Sequence, residues 1–355
     1  MLKKYFYKKT VIVTGHTGFK GSWLTLWLTI LGARVVGLSL DIPSSPSLFN
    51  VLKLKNRIVD IRVDVRNLKK MIKIFKKYNP DYVFHLAAQP LVKRSYRKPL
   101  YTFTTNFLGA LNVLESLRIL NKKCVSIIIT SDKSYRNFEL KRGYKENDTL
   151  GGDDPYSASK ASVEMMVRSY VNCFFKNKRV LVGVARAGNV IGGGDWSEDR
   201  LVPDCIKFWA KKKKVILRNP NSTRPWQLVL EVIWGYILFA INIKKNPKLH
   251  GEVFNFGPGQ NVNKTVLEVA KEMRKHWSDV EWKISKKKEK IESNLLKLNS
   301  NKAKKKLKWN TLLNFNETIK IVTDWYKNFY ILKKNNLEFS KKQIIAYQKK
   351  IKLKI

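Results

Sequence analysis

The sequence predicts an α/β protein in which a doubly wound parallel sheet is followed by a smaller, mixed C-terminal substrate-binding domain. In the first half, short apolar runs alternate with longer amphipathic segments, which is the pattern of a parallel sheet covered by helices. After Arg186 this pattern gives way to glycines, an apolar helix and a late strand. With 355 residues, 44% of them hydrophobic, the chain can bury a substantial core.

Each apolar run predicts a strand and each amphipathic segment a helix. Predicted strands cover residues 11–14, 34–38, 58–63, 82–86, 125–130, 180–185 and 253–256. Predicted helices cover residues 19–31, 68–78, 102–120 and 157–175. The lysine-rich tail, residues 336–355, is predicted to be a terminal helix or a frayed end.

The composition limits where the protein is expected to be located and which partners it is expected to bind. A net charge of +43 is typical of nucleic-acid or membrane binders. The lysines are scattered without a basic-aromatic motif, however, so solvated lysines are favoured over a nucleic-acid partner, and attraction of an anionic substrate stays open. The three cysteines, Cys124, Cys173 and Cys205, are widely separated, which favours the reducing cytoplasm over a disulfide framework or a metal site.

No membrane or secretory segment is expected. The N-terminus lacks a signal-peptide cleavage pattern. The most apolar later stretch, residues 228–243, carries Glu231 and is shorter than the roughly 20 residues that span a bilayer. This stretch is therefore predicted to be a core helix.

A glycine turn follows the first strand in the sequence TGHTGFKG. Three glycines between a strand and a helix let the backbone approach a pyrophosphate, which the helix N-terminus stabilises. The turn therefore predicts a Rossmann-like, dinucleotide-binding domain over residues 1–187. The substrate domain is then expected mainly over residues 188–335, with some segments returning to the sheet. The turn residues predicted to bind the cofactor are Gly15, Thr17, Gly18, Phe19 and Gly21.

The choice between NAD and NADP depends on the end of the second strand, where an acidic residue normally accepts from the ribose hydroxyls. Ser39 occupies that place and Asp41 is the nearest acid. Because no arginine is there to receive a 2′-phosphate, NAD is favoured. His16 and Lys20 are unusual residues for such a turn, and either surface exposure or contact with cofactor or substrate phosphates explains them.

Tyr156 and Lys160 lie four residues apart in YSASK, at the start of a predicted helix, and so share one face. A neighbouring ammonium favours the phenolate of a tyrosine, which can then remove a proton from a sugar hydroxyl. Alone, this spacing is common by chance. Behind a nucleotide-binding half it predicts a catalytic pair, in which Lys160 also holds the nicotinamide ribose.

Several motifs in the same order give a resemblance to the extended short-chain dehydrogenase/reductase family over nearly the whole chain. They are TGHTGFKG, VDVRN, HLAAQP, TTNFLGALNVLES, YSASK and RAGNVIGGGDW. The resemblance implies NAD as the cofactor and a homodimer built through two helices of each subunit. It also implies that further residues lie around the cofactor, namely Asp64, Val65, Ala87, Ala88, Gln89, Thr105 and Asn106.

The stretch TSDKSY, after the fifth strand, selects a reaction within that family. By the resemblance, Ser131 hydrogen-bonds the substrate oxygen beside Tyr156. Nucleotide-sugar 4,6-dehydratases follow this serine with an acidic residue and a second proton-transfer group. Asp132 would then protonate the departing 6-hydroxyl and Lys133 would remove the C5 proton, provided that their surroundings shift the two pKa values suitably. An exposed or salt-bridged Lys133 is the alternative.

Most dehydratases of this type carry Asp-Glu where this chain has Asp132-Lys133. That difference, together with NPNSTRPWQLVLE and LKLNSNKAKKKLKW, resembles the branch that acts on CDP-glucose. Asn189, Arg218 and Arg224 would bind the nucleotide-sugar substrate, and the adjacent GGGDW loop would offer backbone donors to its diphosphate. Leu228 replaces a histidine of that branch and cannot hydrogen-bond.

The sequence therefore predicts a nucleotide-sugar 4,6-dehydratase that acts on CDP-glucose or a related nucleotide sugar in deoxysugar and surface-polysaccharide assembly. An epimerase or reductase of the same family, and a non-catalytic protein that binds NAD or nucleic acid, are the alternatives.

Overall fold

The computed structural model describes residues 2–176, 179–259, 263–278, 280–285 and 296–353. The helices are α1 Lys3–Phe6, α2 Phe19–Ile30, α3 Leu48–Val51, α4 Leu68–Tyr78, α5 Val92–Arg97, α6 Pro99–Phe103, α7 Gly109–Arg118, α8 Pro155–Cys173, α9 Leu201–Trp209, α10 Val229–Lys245, α11 Val266–Arg274, α12 Asn301–Leu307, α13 Phe315–Tyr330 and α14 Asn336–Lys352. The strands are β1 Thr10–Thr14, β2 Arg34–Ser39, β3 Val59–Arg62, β4 Tyr82–His85, β5 Cys124–Ile129, β6 Val180–Ala187, β7 Val190–Ile191, β8 Val215–Leu217, β9 Thr223–Pro225, β10 Gln227–Leu228, β11 Val253–Phe256, β12 Asn263–Thr265 and β13 Trp282–Ile284. The described ranges also contain 3-10 turns at Leu54–Arg57, Asp132–Ser134 and Pro247–Leu249, and a π-helical segment at Thr104–Leu108.

The central sheet has seven parallel strands in the order β3-β2-β1-β4-β5-β6-β11. The order of the chain reverses between β1 and β4, which is the switch point where ligands bind in doubly wound folds. The predicted α/β class and the parallel sheet are confirmed. The predicted strand boundaries differ from the observed ones by at most two residues.

Two apolar layers cover the sheet, and β1 shows how the sequence builds them. Val11 and Val13 point into the layer that contains α2 and α10, whereas Ile12 points into the layer formed with α4, α7 and α8. Successive strand residues face opposite sides of a sheet. Because both faces are buried, the strand is an unbroken apolar run rather than an alternating one.

The predicted helix over residues 102–120 is interrupted. α6 ends at Phe103, and the π-helical segment separates it from α7. Within that segment the Asn106 side chain accepts from the Gln89 backbone N–H at 2.8 Å and donates to Ser159 Oγ at 2.9 Å. These two hydrogen bonds hold the asparagine toward the sheet and α8, in a segment with the wider turn of a π-helix, a feature frequent at functional sites.

The C-terminal half extends the sheet and adds small paired strands. β11 pairs with β6, while β7, β8 and β9 pair with β10, β13 and β12. The apolar helix α10 packs on β5 and β6. Its Glu231 side chain is buried but satisfied, because the Leu312 and Leu313 backbone N–H groups donate to it at 2.6 and 3.0 Å. Among the described residues, no helix is both long and apolar enough to cross a bilayer. The domain boundary at residue 187 stays a prediction.

The tail forms α14, which is docked rather than frayed. Asn335 caps its first turn by accepting from the Leu337 and Glu338 backbone N–H groups at 3.0 and 3.2 Å. Tyr347 packs edge-on against Trp27 of α2, with ring centroids 5.8 Å apart. Lys354 and Ile355, the end of the predicted tail, lie outside the described residues.

Ile344→Ala tests this docking, and the adjacent Ile345→Ala is the matched control. Ile344 is fully buried, whereas 44% of Ile345 is exposed. We expect Ile344→Ala to lower the free energy of unfolding by about 2–5 kcal/mol and Ile345→Ala to change it by less than about 0.5 kcal/mol. Denaturant unfolding measures both, and equal effects would show that α14 does not pack as described.

Candidate active site

A cavity of about 970 Å³ runs along the carboxyl edge of the sheet. Most of the predicted site residues line it, from both halves of the chain. They are Gly15, Thr17, Gly18, Phe19, Lys20, Gly21, Ser39, Asp41, Asp64, Val65, Ala87, Ala88, Ser131, Asp132, Lys133, Tyr156, Lys160, Asn189, Arg218 and Arg224. The cavity is as large as the pockets that hold cofactors and small substrates.

The glycine turn forms one wall because its glycines admit no side chain. Gly15 has a φ of +73°, and a Cβ there would lie 2.7 Å from the Ala87 backbone nitrogen. A Cβ on Gly21 would lie 2.0 Å from the Gly15 carbonyl oxygen. The turn therefore packs tightly on β4 and starts α2 at Phe19, which directs the first N–H groups of the helix toward the cavity.

His16 neither lines the cavity nor is exposed, so neither of the two explanations for it, surface exposure or contact with phosphates, holds. It is fully buried, with Nε2 2.9 Å from Asp60 Oδ1 and Nδ1 2.9 Å from Ser39 Oγ. Burial lowers the pKa of His16, although Asp60 acts to raise it. The ring joins the glycine turn to the end of β2 and to β3. Asp60, which sequence reasoning missed, completes this junction.

Ser39 and Asp41 lie at the cavity end of β2. The Ser39 hydroxyl is hydrogen-bonded to His16 Nδ1. It also accepts from the Thr17 backbone N–H at 3.4 Å. The Asp41 carbonyl oxygen accepts from Thr17 Oγ1 at 2.7 Å, and its side chain is exposed. The Asp41 carboxylate is thus the acidic group available at this point of the cavity wall.

Gln89 and Asn106 lie behind the cavity wall, so the cofactor contacts predicted for their side chains are not provided. Besides their mutual bond, Gln89 Nε2 donates to Thr102 Oγ1 at 3.0 Å. Both residues are buried and order the segment after β4. The neighbouring Thr105 does line the cavity, and its buried hydroxyl has no hydrogen-bond partner among the described residues.

The stretch TSDKSY becomes a short turn that carries three polar side chains; we call residues 131–133 the acid–base turn. The Ser131 hydroxyl donates to Asp132 Oδ1 at 2.9 Å and accepts from the Lys133 backbone N–H at 3.2 Å. Ser131 and Asp132 are buried and Lys133 is half-buried. Burial raises the pKa of the Asp132 carboxyl, although Lys133 acts to lower it.

Tyr156 and Lys160 face the acid–base turn from α8. The helix begins at Pro155 because Asp154 accepts from the Ser157 backbone N–H at 3.0 Å. Burial raises the pKa of Tyr156 to about 12, while its hydrogen bond with Ser131 acts to lower it. Burial also lowers the pKa of Lys160 to about 8, and Lys160 Nζ donates to the Ile129 carbonyl oxygen at 3.2 Å.

Sequence reasoning missed a buried ion pair behind these residues. Arg186 Nε donates to the two Glu164 carboxylate oxygens at 2.8 and 2.9 Å, and both side chains are 2% exposed. Glu164 also accepts from Thr130 Oγ1 at 2.6 Å, and Arg186 Nη1 donates to the Tyr135 hydroxyl at 2.5 Å. Two features of the sequence could have indicated this pair. Glu164 follows Lys160 by four residues, and Arg186 begins the motif RAGNV.

Cationic side chains line the substrate side of the cavity. Burial, together with the nearby Arg200, lowers the pKa of Lys20 to about 8. Arg200 also lines the cavity and was not predicted. Arg218 is ion-paired with Asp199 at 2.9 Å, and Arg224 donates to the Thr223 carbonyl oxygen at 2.8 Å.

The GGGDW loop lines the cavity beside Asn189, but its glycines have a packing role. A Cβ on Gly193 would lie 2.0 Å from the Trp325 ring of α13. The Asp195 backbone N–H donates to the Tyr326 hydroxyl at 3.0 Å, so it is already satisfied inside the protein. Because α13 packs on the loop, the Asp195 amide is turned inward and is not one of the backbone donors that the loop was predicted to offer to a diphosphate.

Known proteins with similar sequences and structures identify the family. The sequence model of the GDP-mannose 4,6 dehydratase family matches residues 12–322. A protein named CDP-glucose 4,6-dehydratase from Salmonella typhimurium is 41% identical over 354 residues, 98% of each chain. A protein named dTDP-D-glucose 4,6-dehydratase from Dictyostelium discoideum is 26% identical over 74% of this chain and 61% of its own.

A solved structure agrees with the fold. The crystal structure of UDP-glucose 4-epimerase from Thermus thermophilus in complex with NAD superposes with a TM-score of 0.77 at 24% identity, covering 90% of this chain and 99% of that one. The profile match and the near full-length similarity at 41% identity together establish descent. The chain belongs to the GDP-mannose 4,6 dehydratase family.

Proposed function

We propose that the chain converts CDP-glucose to CDP-4-keto-6-deoxyglucose and water, with NAD as a retained cofactor. The observation that carries this proposal is the acid–base turn, because it places an acid of raised pKa and a lysine in the same cavity as Tyr156. Transfer of hydride at C4 alone requires neither group, whereas elimination of water requires both an acid and a base. The similarity to the Salmonella CDP-glucose 4,6-dehydratase supports the same reaction.

The residues of the first half fit NAD. The glycine turn admits a pyrophosphate, the Asp41 carboxylate lies at the end of β2, and Asp64 and Val65 line the cavity at the next strand end. The unpaired Thr105 hydroxyl supplies a further hydrogen-bonding group at the cavity wall. When bound, NAD supplies the chemistry of taking a hydride from C4 of the hexose and returning it at C6.

Tyr156 and Ser131 act at the 4-hydroxyl. The Tyr156 phenolate removes the hydroxyl proton, and the Ser131 hydroxyl hydrogen-bonds the oxygen. In the cavity Arg200 acts to lower the high pKa of Tyr156, and Lys160 lies on the same helix face. Arg200 therefore offsets only part of the effect of burial, since the pKa of Tyr156 stays raised to about 12.

Asp132 and Lys133 act at C6 and C5. The ketone at C4 acidifies the C5 hydrogen, and the Lys133 amine removes that proton. The neutral Asp132 carboxyl donates its proton to the 6-hydroxyl, which departs as water while the C5–C6 double bond forms. As C6 is reduced, Lys133 returns its proton to C5, and the proton that Tyr156 took from the 4-hydroxyl restores the neutral Asp132, so that the net change is loss of water. A carboxyl of ordinary pKa would be ionised near neutral pH and could not donate, so the burial of Asp132 suits this role.

The cations of the second half bind the anionic nucleotide. Arg218 and Arg224 present planar guanidinium groups that can pair with phosphate oxygens, and Asn189 lines the same cavity. Lys20 carries a desolvated ammonium group near Asp132 and Asp195. We assign it to the phosphate-facing side, because an anion there would restore the solvation that burial removes.

A homodimer through α6 and α8 is part of this proposal. α6 packs against α8, and large apolar side chains on both helices are exposed, with 77% of Leu100, 38% of Phe103 and 66% of Met165 accessible to solvent. A second copy of the chain would cover this apolar surface.

The substrate is tested by incubation with CDP-, dTDP- and UDP-glucose and mass spectrometry of the products. We expect CDP-glucose to lose one water fastest, without net accumulation of reduced cofactor, and Tyr156→Phe to be inactive. Epimerisation or reduction of a sugar without loss of water would show that the dehydratase assignment is wrong.

Lys133→Met tests the proposed base. Removal of a general base lowers rates by roughly 10²–10⁴-fold, so we expect water release to fall by at least about 100-fold. Lys69→Met is the control, because Lys69 is exposed on α4 and does not line the cavity. If Lys133→Met releases water at the wild-type rate, another group removes the C5 proton.

Gly188→Ala tests the placement of Asp132 without changing its chemistry. A Cβ at Gly188 would lie 2.9 Å from Asp132 Oδ2, so the carboxyl group must move aside. Because a small misplacement of a reacting group can cost much of its rate advantage, we expect kcat to fall at least about tenfold while the melting temperature is preserved. Gly259→Ala is the control, since a Cβ there meets nothing within 4 Å. Equal kcat values for the two variants would contradict the role of Asp132.

A further inference from the structure

The acid–base turn is anchored at both ends to one buried ion pair. Thr130 immediately precedes the turn and donates to Glu164, while Tyr135 follows it after one residue and accepts from Arg186. The Tyr135 hydroxyl also donates to Asn255 Oδ1 of β11 at 2.9 Å. The turn thus lies between two hydroxyl groups whose partners bind each other.

The ion pair joins two of the elements that carry the site, α8 and β6. Glu164 lies on α8, one helical turn after Lys160. Arg186 lies on β6, two residues before Gly188, which approaches Asp132. Burial acts to lower the pKa of Arg186, but the Glu164 carboxylate outweighs this effect and the pKa is raised. Because the guanidinium group and the carboxylate contact each other at several atoms away from water, each partner needs the other.

We propose that Thr130 and Tyr135 are positioning residues that hold the acid–base turn against Tyr156 by anchoring its two ends to the Glu164–Arg186 pair. This inference rests on the proposed function for its kinetic consequence. Tyr135 does not line the cavity. Thr130 does, but its hydroxyl is directed to Glu164. Their contribution is to the geometry of Ser131, Asp132 and Lys133 rather than to substrate binding.

Thr130→Val and Tyr135→Phe test the anchors by removing one hydroxyl each. Phenylalanine retains the ring that stacks on Tyr144, with centroids 5.0 Å apart, and that lies 4.4 Å from the Arg186 guanidinium carbon. Substitution of Glu164 or Arg186 is avoided, because it would leave a buried charge without its partner. Matched controls are Thr25→Val and Tyr82→Phe, whose hydroxyls are buried without a hydrogen-bond partner among the described residues.

We expect kcat to fall at least about tenfold in both anchor variants, with KM for CDP-glucose changed less than about twofold, because loss of orientation lowers the rate of the chemical steps. Thr130→Ser, which keeps the hydroxyl, should restore kcat. Hydrogen exchange in the peptide that covers residues 131–136 should become about tenfold faster in Thr130→Val and Tyr135→Phe and stay unchanged in both controls.

Three results would overturn the proposal: an unchanged kcat, a rise in KM alone, or a fall in kcat without faster exchange at the turn. Equal losses in the Thr25 and Tyr82 controls would also overturn it. Hydrogen exchange requires no substrate and so decides whether the turn is anchored even if wild-type protein dehydrates no nucleotide sugar, an outcome that would count against the proposed function alone.

Discussion

The Glu164–Arg186 ion pair is the interaction around which the site is built. It joins α8 to β6 and, through Thr130, to the end of β5. Charges as deeply buried as these are tolerated only when they are paired and hydrogen-bonded, and loss of one partner commonly costs about 3–5 kcal/mol. The pair therefore links these three elements to one another. That arrangement places Tyr156 and Lys160 opposite the acid–base turn.

The parallel sheet explains why the remaining groups meet there. All seven strands run in one direction, so the residues that follow β1, β4, β5 and β6 emerge at the same edge. Gly15, Ala87, Ser131 and Gly188 occupy those four positions. The close approach of Gly15 to Ala87 and of Gly188 to Asp132 shows that adjacent strand ends are packed against each other.

The sheet, its helices and most cavity-lining residues could be predicted from the sequence, because apolar runs and glycine turns are local patterns. What could not be predicted depends on side chains that meet only after folding. His16 is separated from Asp60 by 44 positions, and Tyr135 from Asn255 by 120. The glycines of the GGGDW loop resembled a phosphate-binding turn, yet Trp325, far along the chain, explains Gly193. Local sequence cannot tell whether a glycine makes room for a ligand or for a tryptophan.

The net charge of the chain contributes little to the proposed chemistry. The desolvation of a few cationic side chains contributes much more. Most of the lysines behind the net charge of +43 are spread along exposed segments. Lys20 and Lys160 differ, because burial lowers the pKa of each to about 8. A desolvated cation gains more from an anionic partner than a hydrated one does. In the proposed function, Lys20 at the glycine turn therefore pairs with the substrate diphosphate and Lys160 on α8 favours the Tyr156 phenolate, roles that solvated lysines elsewhere do not fill.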